Sequence, residues 1–142
     1  MTELSDAVRE KLRRPVVWHF VTLNEDGSPQ VKPVWAEERN GRVLINTGRG
    51  WRKERNVRRD PRVALSMIEP ENPYERVEIQ GRVVEFIEGN AADRQLDQLA
   101  RRYLGTDGYP WRKGEERIVL VIGPTTVIHH VDTDDPDVLP VA

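Results

Sequence analysis

The order of apolar runs along this chain predicts a mainly β protein, an antiparallel barrel with small helices at its corners. Short runs rich in β-branched and aromatic residues follow one another closely, separated by turn pairs such as Asp26-Gly27 and Asn40-Gly41. Helix-period patterns fill only short stretches and never alternate with strands in the rhythm of a parallel sheet. No GxGxxG follows a strand, and no Walker or GxSxG sequence is present, so nucleotide-fold and hydrolase signatures are absent.

Each element has its own local reason. Leu4, Val8 and Leu12 recur every four residues after a polar start, which predicts a short amphipathic helix stopped by Pro15. The runs Val16–Leu23, Gln30–Ala36 and Arg42–Thr47, joined by two glycine turns, predict a three-stranded meander. A short helix follows and ends at Asp60-Pro61, because proline disfavours helical geometry in the residue before it. Arg62–Ile68 and Arg76–Glu88 are expected strands around a proline-bounded loop, EPENPY, with Gly81 marking a bulge or a close backbone approach. Leu96, Leu99, Ala100, Tyr103 and Leu104 form the apolar stripe of a helix between Asp93 and Gly105. Two last strands, Arg117–Ile122 and Thr125–Val131, are expected with a bend at Gly123-Pro124, followed by a loosely ordered acidic tail over 132–142.

At 142 residues the chain is expected to be one domain, and with 37% hydrophobic and 32% charged residues its core should be thin enough to favour pairing with a copy of itself. A formal net charge of -2 excludes a general polyanion binder. The absence of cysteine excludes disulfides, thiolate metal sites, iron–sulfur clusters and cysteine nucleophiles. No leader-like apolar segment opens the sequence and no run is long enough to span a bilayer, so a cytoplasmic protein is expected.

The most informative stretch runs from Asn46 to Leu65. It turns through Gly48 and Gly50 and then carries Arg49, Arg52, Lys53, Arg55, Arg58, Arg59 and Arg62 against Glu54 and Asp60 alone. A glycine turn opening a helix exposes free N–H groups at the positive end of the helix dipole, and Arg52 and Lys53 would add full charge, so a phosphate is the natural guest. The alternative is a solvated, arginine-rich helix face. Trp51 could stack on a base, yet no extended basic stripe accompanies it, so a nucleic acid partner is not expected. His19, His129 and His130 make a poor metal set, since adjacent strand residues face opposite ways. Neither Ser66 nor Thr47 sits in a nucleophile elbow, and the paired carboxylates fall in turns or in the tail. Trp35, Tyr74, Tyr109 and Trp111 lie at strand ends or in loops, where they could sandwich a planar ring.

Four pieces, VTLNEDGSPQVKPVW, INTGRGWRKERNVRRDPRVAL, PENPYERVEIQGRVVE and YLGTDGYPWRKGEERIVLVIGPTTV, resemble the split β-barrel flavin and deazaflavin oxidoreductases, the superfamily that includes pyridoxamine 5′-phosphate oxidase. The last two look like the branch that uses the deazaflavin coenzyme F420. The C-terminal arginine and tryptophan pattern of the vitamin B6 oxidases is not found, so the resemblance implies a reductase. It implies an FMN-binding type of split barrel in which the cofactor lies between two subunits of a homodimer. By that likeness Thr47, Arg52 and Lys53 would bind the phosphate with the backbone after Gly48. Pro33, Val34, Trp35 and Asn46 would run along the ring, and Tyr74, Arg76 and Trp111 from the partner subunit would close the site. Arg49, Arg55 and Arg59 could attract a polyglutamate tail. The implied chemistry is hydride delivery to an electron-poor small molecule, such as an activated C=C bond or a quinone-like ring, with Tyr74, Tyr109 or water giving a proton. An FMN-dependent oxidoreductase and a non-catalytic flavin or deazaflavin binder remain the alternatives.

Overall fold

The computed structural model describes residues 2–131, and the expected loose tail lies outside them. Helix α1 spans Asp6–Arg13, followed by β1 (Trp18–Leu23), β2 (Pro29–Val34), β3 (Glu37–Arg39) and β4 (Arg42–Gly48). Helix α2 (Arg52–Arg59), β5 (Arg62–Glu69), β6 (Asn72–Ile87), α3 (Asn90–Leu104) and β7 (Arg117–His130) complete the order. The seven strands form one sheet in the order β2-β1-β5-β6-β7-β4-β3, with every pairing antiparallel.

The two edge strands, β2 and β3, are consecutive in the chain and are joined only by Trp35 and Ala36. The sheet therefore curls until its edges meet across that link, which is a split barrel. This corrects the expected meander: β1 and β2 form the Asp26-Gly27 hairpin, but β2 does not pair with β4. The chain leaves one edge at Trp35 and enters the other as β3, which pairs with β4 through a tight turn in which Asn40 and Gly41 both have positive φ. Helix α3 pins the corner from outside. The Tyr103 hydroxyl donates to the Val16 carbonyl at 2.6 Å and accepts from the Ala36 N–H at 3.1 Å, and Arg102 Nη1 donates to the carbonyls of Leu12 and Ala36.

Two further expectations are corrected. The EPENPY loop shrinks to a two-residue turn, because Glu69 already pairs with Asn72 and β6 begins there. The two last strands are one, since β7 runs through Gly123-Pro124 while β6 shifts register at Gln80/Gly81 opposite it. Gly81 marks this bulge, as its sequence position implied.

Alternation sorts the inward side chains. Trp18 and Phe20 of β1, Val63, Leu65 and Met67 of β5, and Val77, Ile79 and Val83 of β6 all enter the main core. Leu4 just before α1, Val8 and Leu12 from α1 and Val57 from α2 join the same cluster. Strands β4 and β7 are instead apolar on both faces, because α3 covers them from outside: Leu44, Val119 and Val121 pack with Ala92 in a second cluster. Helix α1 is also held by charge, with Lys11 Nζ 2.6 Å from Glu69 and 2.9 Å from Glu75.

Candidate functional site

The site forms where β4 hands over to α2. Gly48 ends β4, and a Cβ there would lie 2.4 Å from the Trp51 indole, so only glycine lets that ring lie flat on the backbone. Gly50 turns with φ +80 and its N–H donates to Glu54 Oε1 at 2.8 Å. The residue before α2 is Trp51, which has no side-chain acceptor to offer, so the first-turn N–H groups lack a side-chain cap.

Beside this turn lies a cavity of about 200 Å³ lined by Pro33, Val34 and Trp35 from one sheet edge and by Asn46 and Thr47 of β4. Trp51 and Lys53 line it from α2, Leu96 and Leu99 from α3, and Tyr109, Trp111 and Arg117 from the segment entering β7. The aromatic wall is ordered by contact. Trp35 stacks on Tyr103 with centroids 5.1 Å apart, Tyr109 meets Trp35 edge-on at 6.0 Å, and Trp111 meets Tyr109 edge-on at 5.7 Å. The loop carrying Tyr109 and Trp111 is tied to α3 through Asp97, which accepts the Tyr109 N–H at 2.9 Å and the Arg112 guanidinium at 2.8 Å.

Two polar groups in the cavity lack partners. The Thr47 hydroxyl is buried and makes no hydrogen bond. Lys53 has no ion pair or hydrogen bond from its ammonium group among the described residues. Its pKa is pulled down chiefly by burial and further by the nearby charges of Lys32 and Arg117. A buried hydroxyl without an acceptor and a partly desolvated cation without a counterion match the needs of a phosphate oxygen. These residues fit a phosphate-bearing planar cofactor: the aromatic wall offers a flat face and the start of α2 offers donors.

Of the residues expected from the sequence, Pro33, Val34, Trp35, Asn46, Thr47 and Lys53 converge on the cavity, and Gly48 supports it by making room for Trp51. Tyr109, named as a possible proton donor, also lines it. Trp111, expected from a partner subunit, lines the cavity of its own chain. Arg52 does not: it is exposed, and its Nη1 donates to Asn24 Oδ1 at 3.4 Å on the outer side of α2. Tyr74 and Arg76 lie at the start of β6, away from the cavity of their own chain, with Arg76 pairing with His130 across the sheet. Asn46 is fully engaged, because its amide donates to the Ala92 carbonyl and Gln95 Oε1 and accepts from Arg117 Nε.

Sequence reasoning missed Arg117, Leu96 and Leu99 as lining residues. Arg117 heads the apolar run Ile118–Ile122 and stands opposite Gly48, a pairing that becomes visible only once the β4–β7 register is known. Among the described residues no group of histidines and carboxylates could hold a metal, and no helix is long and apolar enough to cross a membrane. His129 instead lies 2.8 Å from Glu75.

The same fold recurs in known proteins. A solved structure named F420 reductase is 28% identical, with a TM-score of 0.78, covering 88% of this chain and 98% of that one. A conserved hypothetical protein from Mycobacterium tuberculosis is 18% identical with a TM-score of 0.70, covering 100% of this chain and 96% of that one. General Stress Protein 26 from Bacillus anthracis is 15% identical with a TM-score of 0.60, covering 81% of this chain and 84% of that one. The latter two show the fold alone. No curated protein matches the sequence. Residues 4–130 match the family model described as pyridoxamine 5′-phosphate oxidase, and with that match spanning nearly all the described residues the chain belongs to this family of split-barrel, flavin-binding oxidoreductases.

Proposed function

We propose that this protein is an F420-dependent reductase that passes a hydride to an electron-poor small molecule such as an activated C=C bond or a quinone-like ring. The observation that carries the reading is the unpartnered pair of Thr47 hydroxyl and Lys53 ammonium at the uncapped start of α2, facing a cavity walled by Trp35, Tyr109 and Trp111. The similarity to a structure named F420 reductase supports the deazaflavin over FMN.

When bound, the reduced ring supplies the hydride; the protein's share is binding, orientation and electrostatics. Thr47 and Lys53 hold the phosphate with the first N–H groups of α2. Pro33, Val34 and Trp35 present an apolar strip to the ring, and Tyr109 stands ready to give a proton. Arg52, Arg55 and Arg59 share the outer face of α2 and make no ion pair within 4 Å among the described residues, so they would attract a polyglutamate tail. Arg49 leaves that role, because it is paired with Glu88 and, at 2.8 Å, with Glu116.

The same reading makes the protein a cytoplasmic homodimer without nucleic acid or membrane partners, in which Tyr74 and Arg76 of one subunit approach the cavity of the other. The exposed Val31, Ile68 and Ile128 on the strands support burial against a second copy. Titration of the purified protein with oxidised F420 and, separately, with FMN tests the cofactor. Micromolar binding of F420 with much weaker FMN binding is expected; the reverse assigns an FMN enzyme, and binding of neither rejects the reading. Sedimentation as a monomer at micromolar concentration would reject the two-subunit site.

A further inference from the structure

A buried chain of hydrogen bonds ends at the cavity. Glu37 Oε1, on β3, accepts from Gln95 Nε2 at 2.8 Å; Gln95 Oε1 accepts from Asn46 Nδ2 at 2.8 Å; Asn46 Oδ1 accepts from Arg117 Nε at 2.8 Å. The carboxylate can only accept and the guanidinium can only donate, so both amides between them have one permitted orientation. Glu37, Gln95 and Arg117 are all buried. The far edge of Arg117 is tied at Nη1 to Glu115 Oε2 at 3.0 Å, and its guanidinium carbon lies 5.1 Å from the Trp51 ring centroid and 5.3 Å from that of Tyr109. Only Nη2 has no hydrogen-bond acceptor among the described residues.

We infer that Arg117 is a ring-recognition residue, held by the Glu37–Gln95–Asn46 chain, that makes the site bind the reduced form of its planar cofactor more tightly than the oxidised form. The inference rests on the proposed cofactor reading. Its physical basis is charge: addition of a hydride places one more negative charge on the ring until a proton follows, and a desolvated guanidinium with a free N–H favours that form. A guanidinium clamped by two rings and two hydrogen bonds cannot swing away, so its field is set before the ligand arrives. Glu37, Gln95 and Asn46 act through Arg117 as positioning residues. Lys53, the other cation lining the cavity, is assigned to the phosphate, and the uncharged rings of Trp35 and Trp111 could not distinguish the two redox forms in this way.

The test compares dissociation constants of oxidised and anaerobically reduced F420, and of FMN in both forms, for the wild type, Arg117→Gln, Arg117→Lys and Gln95→Met. Wild type is expected to bind the reduced form about tenfold or more tightly than the oxidised form, as one charge-assisted hydrogen bond would give. Arg117→Gln should lose that preference, its binding of the reduced form falling far more than its binding of the oxidised form, and thermal melting shows separately that the variant folds. Arg117→Lys should recover part of the preference, and Gln95→Met, similar in size but unable to bond Asn46 or Glu37, should lose part of it. A wild type that binds a ring cofactor with a redox preference unchanged by Arg117→Gln overturns this inference alone. A wild type that binds neither cofactor overturns the cofactor reading and this inference together.

Discussion

A side chain on Gly81 would collide with Gly123: a Cβ built there lies 2.6 Å from the Gly123 carbonyl oxygen and 2.9 Å from Ile122 Cγ2. The register shift at Gln80/Gly81, where β7 carries the unpaired Thr125, accompanies this close approach, and the obstacle is backbone, which cannot rotate aside. Gly81→Ala should therefore cost about 1–3 kcal/mol, as for other overpacked sites. Urea unfolding of the two proteins measures this, and an unchanged midpoint would contradict the close approach.

Lys53 gives the binding step a pH dependence of known sign. Burial first, and then Lys32 and Arg117, hold its pKa below the usual 10.5 in the free protein. An anionic guest favours the ammonium form, so affinity should be full below the depressed pKa and decline as the pH rises through it. Stability of the free protein runs the other way. The unfolded chain keeps this proton to higher pH, so the penalty present at neutral pH is relieved as the pH climbs toward the unfolded value. Calorimetric titration of the phosphate-bearing cofactor from neutral to alkaline pH checks the first statement. Lys53→Ala should lose about tenfold or more in affinity, as expected for a charge-assisted bond, whereas Arg52→Ala should show only the smaller, salt-sensitive loss of an arginine on the outer face of α2.

Glu69 is one carboxylate whose pairing makes the fold sensitive to acid. Hydrogen bonds from Arg14 at 2.8 and 2.6 Å, joined by Lys11 at 2.6 Å, lower its pKa from 4.5 to about 2. Its contribution is complete above the usual carboxylate value and is lost as the pH falls from 4.5 to about 2. Glu69→Gln should cost about 3 kcal/mol at neutral pH and flatten the acid side of a stability profile measured by denaturant unfolding.

Asp97 fastens the aromatic loop. Asp97→Ala removes the acceptor of the Tyr109 N–H and a partner of Arg112. Limited tryptic digestion should then cut faster at Arg112 or Lys113, with little change in the melting temperature. Equal cutting rates would show that the ring contacts and the Arg112–Asp93 bonds suffice to hold the loop.

The outer face of α2 separates two kinds of arginine. Arg55→Ala and Arg59→Ala should each weaken binding of a ligand with a polycarboxylate tail by about twofold to fivefold at low salt, and the difference should shrink as salt rises. Arg49→Ala should leave that affinity unchanged, because its charge is already met by Glu88 and Glu116.

Much of this was legible before the fold was known. Pro15, Asp60-Pro61 and Gly105 bound their helices as local rules require, and the Gly48–Lys53 stretch pointed to the turn that flanks the cavity. The meander failed because local sequence shows that β2 ends but not which strand its edge will meet; that depends on closure across Trp35 and Ala36. Arg117 stayed hidden for the same reason, since its role comes from a partner strand and from α3, both distant in sequence. Arg52 and Lys53 are neighbours of equal charge, and only the helix phase against the cavity tells them apart.

The link through Trp35 and Ala36 makes occupancy and fold integrity two readings of one quantity. The cavity straddles the seam where the sheet's free edges meet, so a guest touching Pro33 and Trp35 on one side and Thr47 on the other works as a rivet across it. Slow amide exchange at Ala36, whose N–H is held by Tyr103, would then report binding as directly as any signal from the guest itself.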